Sequence, residues 1–332
     1  MRRFIALVAL TLGSAASAQV SPAPASASPA TVLAPAAPSE WVRIAPADLL
    51  VMDLAPESPA KPRRVVIRLM PQPLSQGWIR NIRSLAAAHW WDGLSINRVQ
   101  DNYVVQWGDA DGEDKARARP LPAGLARISE ADYAIAAPAG IVPKGADRYF
   151  PRHATAASPA IVDGRAVFRD YDPARFGSFY QGFPFAGERT KGSTAIWPVH
   201  CYASIGVGRD LSPDTGTGAE LYAVIGPARP LDRNIAVVGK VIEGMEWLSA
   251  LPRGTGTLGF YQTPAERTPI RSVRLGNEVP DLPAFEYLAS EGVTFPKYAL
   301  ARANRQDDFF RVKAGGMDLC SAAPPTRRVK AG

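Results

Sequence analysis

The chain has 332 residues, 46% of them hydrophobic and 21% charged, which is enough apolar material for a large folded core. The formal net charge is +7, and lysine and arginine are interspersed with aspartate and glutamate along most of the sequence. The composition therefore excludes a disordered chain and does not indicate nucleic-acid binding, which would gather basic residues with stacking aromatic side chains. We interpret the one dense basic cluster, residues 327–330, as a solvated tail.

The N-terminus has the pattern of a secretory signal. Arg2 and Arg3 precede the apolar run 4–12, and the small residues Ala16 and Ala18 stand before a cleavage site at Gln19. The apolar run is too short for a stop-transfer helix, so we expect no stable membrane insertion. We therefore predict that residues 1–18 are a signal peptide and that the protein is exported to the periplasm as a soluble chain.

A linker, a hairpin and a helix follow in that order. Residues 19–40 are rich in Pro, Ala and Ser and have little to bury, which predicts an extended linker. Two β-rich runs, 49–55 and 63–70, are separated by a loop containing proline and predict a hairpin.

The next segment predicts an amphipathic helix. Trp78, Ile82, Leu85 and His89 recur at helical spacing after Ser75, which we expect to cap the helix. We expect His89 to pack at the helix end rather than to bind a ligand.

The remaining periodic segments are mostly strands. We predict a strand pair or a bent strand at 94–107, a long insertion with some structure at about 110–200, and further β-rich runs, with a short helix at 243–251. The β-rich runs are 201–207, 220–226, 234–242 and 269–275. Together these elements predict a mainly β fold, a closed antiparallel barrel over residues 41–276 capped by two helices, with residues 277–332 as an extension docked on it.

Two glycine-rich segments resemble nucleotide-binding loops, but their context is wrong. GTGTLG, 254–259, follows a helix and leads to Pro264, and GERTKGST, 187–194, lacks lysine after its second glycine, so we interpret both as loops. His89, His153 and His200 share no metal-ligand spacing, and we expect neither a metal nor a cofactor. A hydrolase using His153, Asp163 or His200 is a remaining alternative.

The chain contains two cysteines, Cys201 and Cys320. An even count in an exported protein predicts that they form a disulfide, although two unrelated buried thiols remain an alternative. A bond would bring residues 309–320 against the start of strand 201–207. We expect the apolar side chains of that segment to be covered there; they are Phe309, Phe310, Val312, Met317 and Leu319.

Two blocks of sequence resemble the cyclophilin family of peptidyl-prolyl isomerases. WDGLSINRVQDNYVVQWGD, 91–109, is similar to the family's YDG, FHRV, PGF and Q-GGD patterns, and it follows the family-like NIRSLA of the helix. GTGAELYAVIG and LDRNIAVVGKVIEGM, within 216–245, are similar to SQFFI and LDGKHVVFGKVIEGM. The resemblance covers 49–109 and roughly 201–276. It implies a cyclophilin-like barrel that isomerises X-Pro bonds in client polypeptides and assists their folding, without a cofactor.

The resemblance also implies a set of site residues. Arg98 falls at the family's catalytic arginine and Gln106 at the glutamine beside it. The positions that would bind substrate are Tyr103, Val104, Glu220, Tyr222, Leu231 and Ile235. Pro230 replaces the family's pocket tryptophan and Ile235 its pocket histidine. These two departures leave open a binding or chaperone module with little or no catalysis. We expect a monomer.

Overall fold

A computed structural model describes residues 28–58, 61–144, 160–169, 175–190 and 192–329. The predicted signal peptide and residues 19–27 lie outside the described residues. The helices are α1 (Pro29–Leu33), α2 (Gln76–Ala87), α3 (Met245–Ser249) and α4 (Thr294–Ala303). In chain order the strands are β1 (Trp41–Arg43), β2 (Leu49–Ser58), β3 (Lys61–Leu69), β4 (Ser95–Gln100), β5 (Val104–Gly108), β6 (Ile135–Ala136), β7 (Ala160–Val162), β8 (Arg165–Arg169), β9 (Arg175–Tyr180), β10 (Phe183–Thr190), β11 (Ser193–Pro198), β12 (Ser204–Val207), β13 (Leu221–Val224), β14 (Val237–Glu243), β15 (Thr268–Leu275), β16 (Phe285–Leu288) and β17 (Thr326–Arg328).

Eight strands close into an antiparallel barrel in the order β12-β13-β5-β4-β15-β2-β3-β14. Alternating apolar residues of these strands fill its interior, and Met52, Val65, Val105 and Val207 are all fully buried there. Helices α2 and α3 pack their apolar residues into the same core. The predicted mainly β fold with a closed antiparallel barrel and two capping helices is confirmed.

Helix α2 begins directly after Ser75, as predicted, but its capping and its C-terminal end differ from the prediction. Trp78, Ile82 and Leu85 are fully buried as expected, but Ser75 does not cap the helix. Its hydroxyl donates instead to the carbonyl of Val237, at 2.7 Å. His89 lies beyond the helix end with φ of 52° and is exposed, so the expectation that it packs was wrong. The next two residues, both tryptophans, take the buried positions.

The segment predicted as an extended linker is folded over its described part. Residues 29–33 form α1, which contacts α4. Val32, Leu33 and Ala36 are partly buried against a hydrophobic cluster that includes Phe295 and Tyr298 of α4. The prediction for residues 29–40 was wrong because even a Pro/Ala-rich stretch can bury a few aliphatic side chains when another helix supplies the surface.

The insertion contains a six-stranded antiparallel sheet in the order β6-β11-β10-β9-β8-β7. GERTKGST, predicted as a loop, instead contributes the end of β10 and the start of β11, which pair as a hairpin. The sheet shares a second hydrophobic core with the C-terminal extension, where Phe179 packs edge-on against Phe295, 5.0 Å between ring centroids. The extension therefore docks on the insertion as well as on the barrel.

The end of the chain also departs from two expectations. Phe309 and Val312 are 81% and 83% exposed, and of the five apolar residues expected to be covered only Met317 and Leu319 are packed in the second core. The basic cluster is not a free tail, because its residues 327 and 328 belong to β17, which pairs with β16. There Arg327 pairs with Glu286 and Arg328 with Glu243.

Two cations lie at the junction of barrel, insertion and extension. Arg68 on β3 is 5% exposed, and its guanidinium lies 4.9 Å from the ring centroid of Phe183 and 3.8 Å from that of Tyr287. Lys240 on β14 donates to the carbonyl of Gly182 at 3.0 Å and lies 5.3 Å from the same Phe183 ring. Burial, with the adjacent Arg68 charge, lowers the pKa of Lys240 to about 7.

Lys240 should therefore make stability depend on pH. Above pH 7 the folded chain has released the lysine proton whereas the unfolded chain retains it, so the free energy of unfolding contributed by this group rises with pH. Relative to Lys240→Met, the wild type should gain about 1 to 3 kcal/mol between pH 7 and pH 9. Denaturant unfolding at pH 7, 8 and 9 measures this difference. Lys297→Met, at an exposed lysine of α4, is the control, and equal pH slopes for wild type and Lys240→Met would contradict the prediction.

The structure joins Cys201, just before β12, to Cys320 in the extension, with Cα atoms 5.1 Å apart. The bond closes a loop across a sequence separation of 119 residues. In the chain-entropy model such a cross-link destabilises the unfolded state by about 5 kcal/mol.

The double substitution of both cysteines by serine should lower the free energy of unfolding by about 3 to 5 kcal/mol. Denaturant unfolding measures that loss, and two free thiols counted in the denatured, non-reduced wild type would refute the bond.

Candidate active site

The candidate site is built on three neighbouring barrel strands. Arg98 on β4 is the register partner of Gln106 on β5, and Gln106 is in turn the partner of Tyr222 on β13. Directly paired residues project from the same face of a sheet, so the register alone places the three side chains in one row. The sequence resemblance predicted all three, and the structure brings them together.

Neutral acceptors hold the guanidinium of Arg98. Its Nη1 donates to Oε1 of Gln106 at 3.1 Å, its Nε donates to the carbonyl of Leu258 at 2.8 Å, and its Nη2 donates to the side-chain oxygen of Gln100. The rings of Tyr103 and Phe260 flank it, with centroids 5.9 and 5.2 Å from the guanidinium carbon. Burial lowers the pKa of Arg98 below its ordinary value, but an arginine so placed stays protonated at neutral pH. The result is a half-buried, oriented cation.

The glycine-rich segment 254–259 supports that orientation. The amide of Gly254 donates to the carbonyl of Val99 at 2.9 Å, which ties the segment to β4. Gly259 has φ of 80°, and a Cβ atom there would lie 2.6 Å from the Cα of Gln100, so a glycine is required. Leu258, whose carbonyl accepts from Arg98, has φ of 56°, a left-handed conformation that is costly for a leucine. Sequence reasoning classed this segment correctly as a loop but did not connect it with Arg98.

The apolar part of the predicted site forms one cluster. Val104 and Tyr222 are 2% and 4% exposed and form its floor, whereas Tyr103, Leu231 and Ile235 are partly exposed and pack around them. Pro230 is exposed at the rim. The cluster offers an apolar surface directly beside the guanidinium of Arg98.

A buried polar network lies beneath this floor and was missed by sequence reasoning. The Tyr222 hydroxyl lies 2.9 Å from Nε2 of His200, and Nδ1 of His200 lies 3.0 Å from a carboxylate oxygen of Asp232. Asp232 also accepts from the His200 backbone amide at 2.8 Å and forms an ion pair with Arg229. His200 is 1% exposed, and its hydrogen bond holds the Tyr222 hydroxyl on the buried side of the cluster. A signal was present in the tyrosine at a position where the family has phenylalanine, because a buried hydroxyl needs a partner.

The hydrolase alternative finds little in the described residues. His153 lies outside them. The carboxylate of Asp163 accepts from the amide of Lys144 in a turn of the insertion, and His200 is engaged with Tyr222 and Asp232. Cys201 is bonded to Cys320 and offers no thiolate.

Glu220 lies just before β13, two residues before Tyr222 and against Gly108 of β5. Its carboxylate accepts from the amide of Asp109 at 2.6 Å and is hydrogen-bonded by the side chains of Gln106 and Asn97. Burial raises the pKa of Glu220 to about 7 despite these three hydrogen bonds. Glu220 thus connects to the arginine through Gln106.

Within the described residues, no three histidine, cysteine, aspartate or glutamate side chains gather as a metal site would require. Among the same residues, no helix has the length and apolar character needed to cross a membrane.

A closed antiparallel barrel capped by helices, with an arginine and a glutamine beside an apolar surface, defines the cyclophilin class. The model of the family "Cyclophilin type peptidyl-prolyl cis-trans isomerase/CLD" matches residues 62–275, and the chain belongs to this family of peptidyl-prolyl cis-trans isomerases. The resemblance predicted from sequence is thereby confirmed.

A solved structure supports the fold. A cyclophilin from Hirschia baltica is similar with a TM-score of 0.58 and 17% identity, and the match covers 88% of this chain and 95% of that one. A cyclophilin type peptidyl-prolyl cis-trans isomerase from Cryptosporidium parvum matches with a TM-score of 0.37 and 9% identity, over 69% of this chain and 96% of that one. No curated protein matches the chain.

Proposed function

We propose that this enzyme isomerises X-Pro bonds with Arg98 as the donor to the twisted amide, and that its clients are exported polypeptides that are unfolded or partly folded. The observation that carries the proposal is the guanidinium itself, which three neutral acceptors orient beside an apolar surface. An arginine held by carboxylates would have its charge neutralised, whereas this one keeps a full charge for the substrate.

The reaction needs no nucleophile and no metal. Rotation about the amide faces a barrier of about 18 to 20 kcal/mol because resonance is lost on twisting. In the twisted state the prolyl nitrogen becomes pyramidal and basic, so an N–H of Arg98 hydrogen-bonds to it more strongly than to the planar ground state. That difference in binding lowers the barrier.

The neighbouring side chains have matching roles. The cluster of Tyr103, Leu231 and Ile235 over its buried floor, Val104 and Tyr222, would hold the proline ring by apolar contact. Gln106 would orient the guanidinium through its 3.1 Å hydrogen bond and bind the client backbone. Glu220, beside Gln106, would face the residues preceding the proline.

Export is supported by the sequence of residues 1–18 and by the disulfide between Cys201 and Cys320, which persists in an oxidising compartment. A periplasmic enzyme acting as a monomer on newly exported chains fits these features. The slow X-Pro rotation limits the folding of many such chains.

The second candidate is a binding or chaperone module with little or no catalysis. It is favoured by Pro230 and Ile235, which occupy the positions of the family's pocket tryptophan and histidine and leave the rim without their side chains. Turnover of a short X-Pro peptide by the purified protein separates the two candidates.

Arg98→Ala should lower kcat/KM for an X-Pro peptide by about 10² to 10³, the usual effect of removing one transition-state donor. The circular dichroism spectrum and the midpoint of thermal unfolding should stay close to the wild type. Arg271→Ala, at an exposed arginine of β15, is the matched control and should keep wild-type turnover. Wild-type activity in Arg98→Ala would show the mechanism to be wrong.

Cyclic-peptide inhibitors such as cyclosporin, which dock on the family's pocket tryptophan, should inhibit this enzyme poorly because Pro230 stands there. Loss of that aromatic contact weakens binding by about 30- to 100-fold. Pro230→Trp should recover part of the inhibition in the same turnover assay. Strong inhibition of the wild type would refute the alignment at this position.

A further inference from the structure

The carboxylate of Glu220 is hydrogen-bonded to Gln106, and Gln106 in turn accepts a hydrogen bond from Arg98. Gly108 makes room for this carboxylate, because a Cβ atom at that residue would lie 2.0 Å from Oε1 of Glu220. The carboxylate also lines a cleft of about 400 Å³ with Gln106 and Asp109, so protons can reach it from solvent.

The two ends of the Gln106 amide have different partners. Oε1 accepts from Arg98, so the hydrogen bond between Gln106 and Glu220 uses the amide nitrogen as donor. Ionised Glu220 then accepts from three donors, which are the side chains of Gln106 and Asn97 and the backbone of Asp109. This arrangement fixes which way the Gln106 amide points.

We propose that ionised Glu220 is a positioning residue for the Gln106–Arg98 pair, and that isomerase activity falls when Glu220 takes up a proton. The inference rests on the proposed function of Arg98. It extends that function to a regulation of the same site by pH.

The protonated state changes the network in two ways. A neutral carboxyl accepts more weakly from Gln106 than a carboxylate does, which loosens the orientation of the amide and of the arginine behind it. The new O–H also needs an acceptor. Within the described residues, Oδ1 of Asn97 is buried and has no hydrogen-bond partner, so it can accept a hydrogen bond from this O–H once the Asn97 amide turns over. Both protonation states therefore have a hydrogen-bonded arrangement.

The charges around the cleft are mixed. Its acidic lining residues are Asp109, Glu113, Asp210 and Asp214, and its basic ones are Arg119 and Arg209. The Coulombic effect of Asp109 raises the pKa of Glu220, adding to burial, and the pKa of about 7 places the transition near neutral pH.

The test is the pH profile of kcat/KM for an X-Pro peptide between pH 5.5 and pH 8.5. The wild type should be about three- to tenfold more active on the alkaline side, the difference expected between a charged and a neutral acceptor, with the midpoint near the pKa of Glu220. Glu220→Gln replaces the carboxylate with an amide of nearly the same size that cannot ionise, and its profile should be flat. Glu113→Gln removes an exposed carboxylate from the same cleft and should keep the wild-type profile.

A second readout does not depend on turnover. The carbon-13 resonance of the Glu220 carboxyl and the nitrogen-15 resonance of Arg98 Nε should titrate together in the wild type, and the Arg98 resonance should not titrate in Glu220→Gln. A flat wild-type profile, or the same profile in Glu220→Gln, would overturn the inference. An Arg98 resonance that ignores the Glu220 titration would do the same. No turnover at any pH would instead refute the proposed function and leave the two resonances to decide the positioning role.

Discussion

The register across β4, β5 and β13 is the constraint on which the rest of the site depends. It pairs Arg98 with Gln106 and Gln106 with Tyr222, and the period of two along each strand keeps the alternate residues in the barrel core. A slip of one residue would turn Arg98 inward and expose Val99, which is fully buried. Closure of the barrel opposes such a slip because every strand has two partners to satisfy.

The geometry of the candidate site is held from outside the strands as well. The carbonyl of Leu258 fixes one edge of the guanidinium, and the network of His200 and Asp232 fixes the phenol that forms part of the apolar floor. These contacts are short hydrogen bonds, so they restrict the orientation of the Arg98 and Tyr222 side chains. An arginine that acts by hydrogen bonding to a developing lone pair needs that restriction, since a donor that must first reorient contributes less in the transition state.

The insertion and the extension share a second hydrophobic core outside the barrel. Their shared aromatic core, built around Phe179 and Phe295, is joined to the barrel by the disulfide of Cys201 and by the cations Arg68 and Lys240 beneath Phe183. Burying two positive charges side by side is costly, and the lowered pKa of Lys240 is the direct expression of that cost. A covalent bond and aromatic packing therefore hold the junction, and the charge on Lys240 within it changes with pH.

The sequence by itself determined the barrel and the centre of the site. Strand periodicity and the local motif around Arg98 and Gln106 lie within short stretches, and the register of β4 with β5 follows from a turn of three residues.

The sequence could not determine which residues far apart in the chain come into contact. Arg98 and Leu258 are separated by 160 residues, and Glu220 and Asp109 by 111. The helix at 29–33, the exposed Phe309 and the paired strand β17 were misjudged for the same reason: burial depends on which surface the completed fold presents, and composition does not encode that surface. Only the tertiary structure placed the glycine-rich loop against the arginine and the carboxylate of Glu220 beneath Gln106, because hydrogen bonds of this kind are set by the closing of the barrel and by the packing of the segments that follow it.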